Sequence, residues 1–169
     1  MRDKISWLWD IVEKINSWFF FLRYGRRLKD FSFSTIPDGY EILPLKDVPT
    51  DNIVEFFKKQ PEEAYTFFHP HGFDAASIKK LQNSKAFLAY VLIDKDKDGI
   101  AGYCFNRSFF HGVGYRGRMV DINYRGKGLG TAMNKILNEV GFGIGLRLFE
   151  TVSKGNVVSY NRVKSSNKI

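Results

Sequence analysis

Met119-Val120-Asp121-Ile122-Asn123-Tyr124-Arg125-Gly126-Lys127-Gly128-Leu129-Gly130-Thr131-Ala132-Met133 is the stretch whose reading decides the rest. An apolar strand runs into a turn with glycine at alternate positions, and a helix opens at once. The first amides of a helix have no partner within it, and its dipole favours an anion at that end. Gly126, Gly128 and Gly130 carry no side chain to hold a phosphate away from those amides. Arg125 and Lys127 add positive charge at the same mouth. The pattern predicts a pyrophosphate seat.

Several readings of the turn compete. A P-loop needs two glycines five apart followed by Lys and Ser or Thr, which this stretch lacks. A dinucleotide fingerprint puts its third glycine at Thr131 when counted from Gly126, or at Met133 from Gly128. Glu150 does lie at the end of the next strand, where that fingerprint expects an acid, but no second nucleotide-binding half follows it. A structural turn that binds nothing remains open.

Outward from the turn, the pattern has period two on the N-terminal side. Ala86 to Ile93 and Ile100 to Phe105 read as a hairpin around the charged turn Asp94 to Gly99, followed by a strand from Gly114 to Ile122. On the C-terminal side a helix is predicted from Leu129 to Glu139, a loop from Gly141 to Gly145, a strand from Leu146 to Val152, and a short helix from Val157 to Val163. All five prolines fall between Pro37 and Pro70. Within that broken stretch Tyr40 to Leu45 reads as a strand. Asn52 to Gln60 reads as a helix capped by Thr50-Asp51, with Ile53, Phe56 and Phe57 inward. A further helix is expected from Asp74 to Leu81. The class is α/β (α+β), a mixed sheet with helices on its faces.

Residues 1–30 form a separate N-terminal unit in this reading, and 31–169 the main domain. Ile5, Leu8, Val12, Ile15, Phe19 and Leu22 recur at helical spacing, and the chain's three tryptophans, Trp7, Trp9 and Trp18, widen the apolar side. The run Trp18 to Leu22 is far short of the roughly 20 residues of a spanning helix. Arg23, Arg26, Arg27 and Lys29 follow it. Bulky aromatics ahead of a basic cluster suit a helix lying in a membrane interface through residues 5–29. Docking on the chain's own domain, or on a second copy as a homodimer, is the other reading.

Composition narrows the class. A chain of 169 residues that is 44% hydrophobic and 26% charged holds a core and is not disordered. One cysteine, Cys104, excludes a disulfide framework and a cysteine-ligated zinc, and a reducing, cytoplasmic setting is expected, peripheral on the inner membrane face if the helix binds lipid. No metal is expected, although His69 and His71 around Pro70 could equally bind one or line a surface turn. The net charge of +8 invites phosphate-bearing partners. Nucleic acid is not expected, because the basic residues are not interleaved with an aromatic platform.

The segment Arg125-Gly126-Lys127-Gly128-Leu129-Gly130 resembles the Arg/Gln-x-x-Gly-x-Gly/Ala motif of the GNAT (GCN5-related N-acetyltransferase) superfamily, and Val120-Asp121-Ile122-Asn123-Tyr124 resembles the end of that family's fourth strand. The resemblance covers about residues 40–163. It implies a mixed, mostly antiparallel GNAT-like sheet, with acetyl-CoA as co-substrate. Its pyrophosphate would lie on the amides of Lys127, Gly128, Leu129, Gly130 and Thr131, beside Arg125 and Gly126. The pantetheine arm would pair with Met119, Val120 and Asp121, and Asn156 would face it. The family also implies two further strands after the last helix; the chain stops at Ile169, so a sheet without them is expected. Transfer of an acetyl or other acyl group to a primary amine (on an amino sugar, a small metabolite or a protein) follows, with a non-catalytic acyl-CoA-binding or membrane-associated module as the alternative. The family's acid tyrosine would stand at position 163, which is Val; Tyr160 is the nearest substitute. Asp121, His69 and His71 are the candidate bases.

Overall fold

The computed structural model describes residues 6–34, 36–66 and 68–150. Five strands form one sheet in chain order: β1 (Tyr40–Pro44), β2 (Phe87–Asp94), β3 (Gly99–Phe109), β4 (Val113–Val120) and β5 (Arg147–Phe149). The first four are antiparallel neighbours, and β5 joins β4 in parallel. The predicted mixed, mostly antiparallel sheet is therefore present. Asn156, Tyr160 and the predicted last helix lie outside the described residues, as does any strand beyond β5.

Two cores sandwich the sheet. Helices α1 (Ser6–Lys29) and α4 (Leu129–Ile144) cover one face, where Phe20, Tyr24, Met133, Ile136, Leu137 and Val140 pack on Leu88, Leu92, Ala101 and Cys104. Helices α2 (Thr50–Lys58) and α3 (Ala75–Asn83) cover the other, where Ile53, Phe56, Phe57 and Ile78 meet Val91, Tyr103, Phe105 and Met119. Ile53, Phe56 and Phe57 point inward as their spacing predicts.

Three local expectations change. Thr50 and Asp51 lie inside α2 rather than capping it; Pro49 holds the cap position, and the Thr50 hydroxyl donates to Gln82 Oε1 at 2.8 Å. Gly141 and Gly143 do not break α4, which runs on to Ile144. They are sites of close approach: a Cβ on Gly141 would stand 2.7 Å from the Leu148 side chain, and one on Gly143 would stand 3.0 Å from Phe31. The third concerns α1. Its docked side is Asn16, Ser17, Phe20, Tyr24 and Leu28, whereas the stripe Leu8, Val12, Ile15, Phe19 and Leu22 faces solvent. Asn16 clamps the β3–β4 turn, donating to Ser108 O and accepting from the Phe110 amide, and Arg27 donates to Ile144 O.

Candidate functional site

Strand β4 ends at Val120, and Asp121 turns the chain. Asp121 Oδ1 accepts from the Asn123 amide at 2.8 Å, capping a short 3-10 turn over Ile122–Tyr124. Its Oδ2 accepts from Gln60 Nε2 at 2.8 Å, and Gln60 Oε1 in turn accepts from the Ile122 amide. Gln60, buried at the end of α2, thus fixes the entry to the glycine turn. Nothing in its sequence neighbourhood marks it, because the partner that ties it to the turn, Asp121, lies 61 positions away.

The turn itself is open. Gly126 and Gly128 adopt φ of +79° and +78°, the left-handed region that L side chains resist, and a Cβ at either would meet nothing within 4 Å. Arg125, Gly126, Lys127 and Gly128 are exposed, while Leu129 and Gly130 are buried. Helix α4 starts at Gly128 with no side-chain cap and no acid in its first turn. Its backbone bonds begin with the Thr131 and Ala132 amides, which donate to Gly128 O at 3.0 and 3.1 Å. The amides ahead of Thr131 are therefore the free donors of the helix start. Lys127 Nζ stands 4.9 Å from the centre of the Tyr124 ring. Burial first, then the hydrogen bond to Asp94 Oδ2 at 2.8 Å, pushes the Tyr124 hydroxyl up to about 12, so it stays protonated beneath the lysine.

Along β4 the pairing with β5 covers Val113, Gly114 and Tyr115 alone. Among the described residues, the outer edge from Arg116 to Val120 has no strand partner. Glu150, just past β5, bridges this gap from the side: it binds Arg116 Nε at 3.1 Å and a terminal nitrogen of Arg118 at 2.8 Å. Both arginines also donate to asparagines of α4, Arg116 to Asn138 and Arg118 to Asn134. Glu150, the acid at the position where a dinucleotide fingerprint expects a ribose ligand, is thus a structural counter-ion.

His71 lies against the other face of the sheet. Its Nδ1 is 2.8 Å from Gly72 O and its Nε2 is 2.9 Å from the Tyr103 hydroxyl. A carbonyl oxygen only accepts, so Nδ1 carries the proton and Nε2 accepts from Tyr103. Phe57, Phe73, Phe87 and Phe105 ring the imidazole. Burial lowers its pKa, with the Arg107 charge acting the same way and the Gly72 bond opposing. His69, two residues earlier, is exposed. Tyr103 pairs with Met119 across the β3–β4 ladder, so this loop overlies the strand that leads to Asp121. Among the described residues, no group of three His, Cys, Asp or Glu side chains could hold a metal ion. A groove of about 620 Å³ opens elsewhere, lined by Phe21, Leu28, Leu45 and Leu88 among others, and contains no residue of the glycine turn.

No family model and no curated protein matches the chain in sequence. Its likeness is to solved structures. The ribosomal-protein-S5-alanine acetyltransferase of Vibrio fischeri superposes with a TM-score of 0.62 at 15% identity, over 80% of this chain and 82% of that one. A GCN5-related N-acetyltransferase from Kribbella flavida gives 0.57 at 18% identity, over 77% and 82%. AAC(6')-Iy, solved with the bisubstrate analogue CoA-S-monomethyl-acetylneamine, gives 0.54 at 13% identity, over 76% and 89%. At these identities the likeness is one of fold: the chain has the GNAT fold.

Proposed function

We propose that the chain is an acetyl-CoA-dependent N-acyltransferase that delivers its acyl group to a primary amine. The observation that carries this is the uncapped start of α4 behind an open glycine turn, on a sheet of the GNAT fold. Three features fit the coenzyme. The free amides from Lys127 to Gly130, flanked by Arg125, suit a pyrophosphate. Empty space over Gly126 and Gly128 leaves room for it. The outer edge of β4 around Val120, which has no strand partner among the described residues, offers backbone groups to an extended arm, whereas the Asp121 amide already donates to Ala101 O at 3.0 Å.

Bound there, acetyl-CoA supplies an activated thioester. The chain's own contribution is to hold that thioester and an amine in line, and to polarise the carbonyl through a β4 amide near Val120. The amine must also lose a proton. Asp121 already accepts bonds on both carboxylate oxygens, and both His71 nitrogens are engaged. We assign proton removal to His69, held exposed beside Pro70, whose carbonyl accepts from Arg107 at 3.2 Å. Tyr160 is the proposed proton donor to the departing thiolate. Incubation with acetyl-CoA and a panel of amines tests the reading: amine-dependent release of free thiol is expected, and coenzyme binding without thiol release would leave a non-catalytic module.

A further inference from the structure

We infer that α1 is a membrane-docking helix that lies flat on an anionic lipid surface. This is independent of the acyl-transfer reading. The helix has two apolar sides. One, carrying Phe20 and Tyr24, is buried in the protein. The other, made by Trp7, Leu8, Ile11, Val12, Ile15, Trp18, Phe19 and Leu22, is exposed along its whole length, with Trp7, Trp18 and Leu22 each at least 58% exposed. At ~1.5 Å per residue this stripe is about 24 Å long. Phe110, on the β3–β4 turn, extends it, its ring 5.7 Å from that of Phe19.

The occupant follows from charge. Within α1 the two acids are Asp10 and Glu13, and both are turned away to Lys80 of α3, at 2.6 and 2.7 Å. The solvent side therefore carries only cations: Lys14 beside the stripe, Arg23 at its end, and Arg26 and Lys29 continuing it at helical spacing. A second copy would oppose this set with the same set, and the band is wider than a coiled-coil seam. An anionic bilayer complements both halves, apolar stripe in the acyl boundary and cations at the headgroups. Two of the chain's three tryptophans, Trp7 and Trp18, lie exposed on this stripe, the residue type that favours such a boundary. No helix among the described residues is long and apolar enough to cross a membrane, so α1 lies on the surface.

Flotation of the full chain with vesicles tests this. One set is phosphatidylcholine alone; the other is equal parts phosphatidylcholine and phosphatidylglycerol. Expected are binding to the anionic set, a blue shift of tryptophan emission on binding, and a monomer by light scattering without lipid. Replacing Arg26 and Lys29 by Ala should weaken binding roughly tenfold or more. The triple change Ile15→Ser, Trp18→Ser, Leu22→Ser should abolish it while leaving the melting temperature and the acetyl-CoA response unchanged. Four results overturn the inference: no binding to either set, equal binding to both, a dimer that the triple variant dissociates, or emission already blue before lipid is added.

Discussion

The two histidines of the 69–71 loop separate structure from chemistry. His71 is held neutral by burial, below its ordinary value of 6.5. The folded chain then binds fewer protons than the unfolded chain between that lowered value and 6.5. Stability gained from this group therefore rises with pH through that window and is lost as pH falls. His71→Gln should melt at a lower temperature at neutral pH and show a flatter melting profile between pH 5 and 7. His69→Gln should leave melting unchanged and lower kcat by about a hundredfold, the lower end of what a general base supplies. Turnover lost in His71→Gln with melting unaffected, and melting lowered in His69→Gln with turnover kept, would reverse the two roles.

At the scale of elements, α1 and the end of β5 make the sharpest claims. Phe20 is fully buried and Trp18 exposed, two residues apart on one helix. Phe20→Ala should cost about 3–5 kcal/mol in chemical denaturation, and Trp18→Ser within about 0.5 kcal/mol. A reversed order would mean that the other side of α1 docks. Glu150→Ala removes the carboxylate that Arg116 and Arg118 share in a largely buried gap between β4 and α4, leaving their bonds to Asn138 and Asn134, and should cost about 3 kcal/mol. These elements also show what the sequence makes legible. The period-two hairpin and the glycine turn are local patterns, and the structure has both. The existence of α1 is equally plain from its spacing, but a helix apolar on two sides does not say which side the domain takes. Gly141 and Gly143 read as breakers because sequence does not reveal Leu148 and Phe31 pressed against them. Gln60 was invisible for the same reason: its role is set by a contact with Asp121, far along the chain.

Across the whole molecule, the glycine turn and the lipid-facing helix sit at opposite ends of α4. The turn precedes Leu129, whereas Arg27 of α1 binds Ile144 O at the other end, about 24 Å away at ~1.5 Å per residue. Docking on vesicles should therefore leave acetyl-CoA affinity unchanged within twofold in a titration with and without anionic lipid; a larger change would place the two surfaces together. The central claim, that a diphosphate docks at the start of α4, is tested most directly by thermal shift. Acetyl-CoA at about 100 times its Kd should stabilise the wild-type chain by about 2.7 kcal/mol. Gly128→Glu places a carboxylate at that mouth and should abolish the shift, while Gly128→Ala, which strains the backbone but adds no charge, should melt lower and retain a measurable response. An equal shift in the wild-type and Gly128→Glu chains would contradict the account.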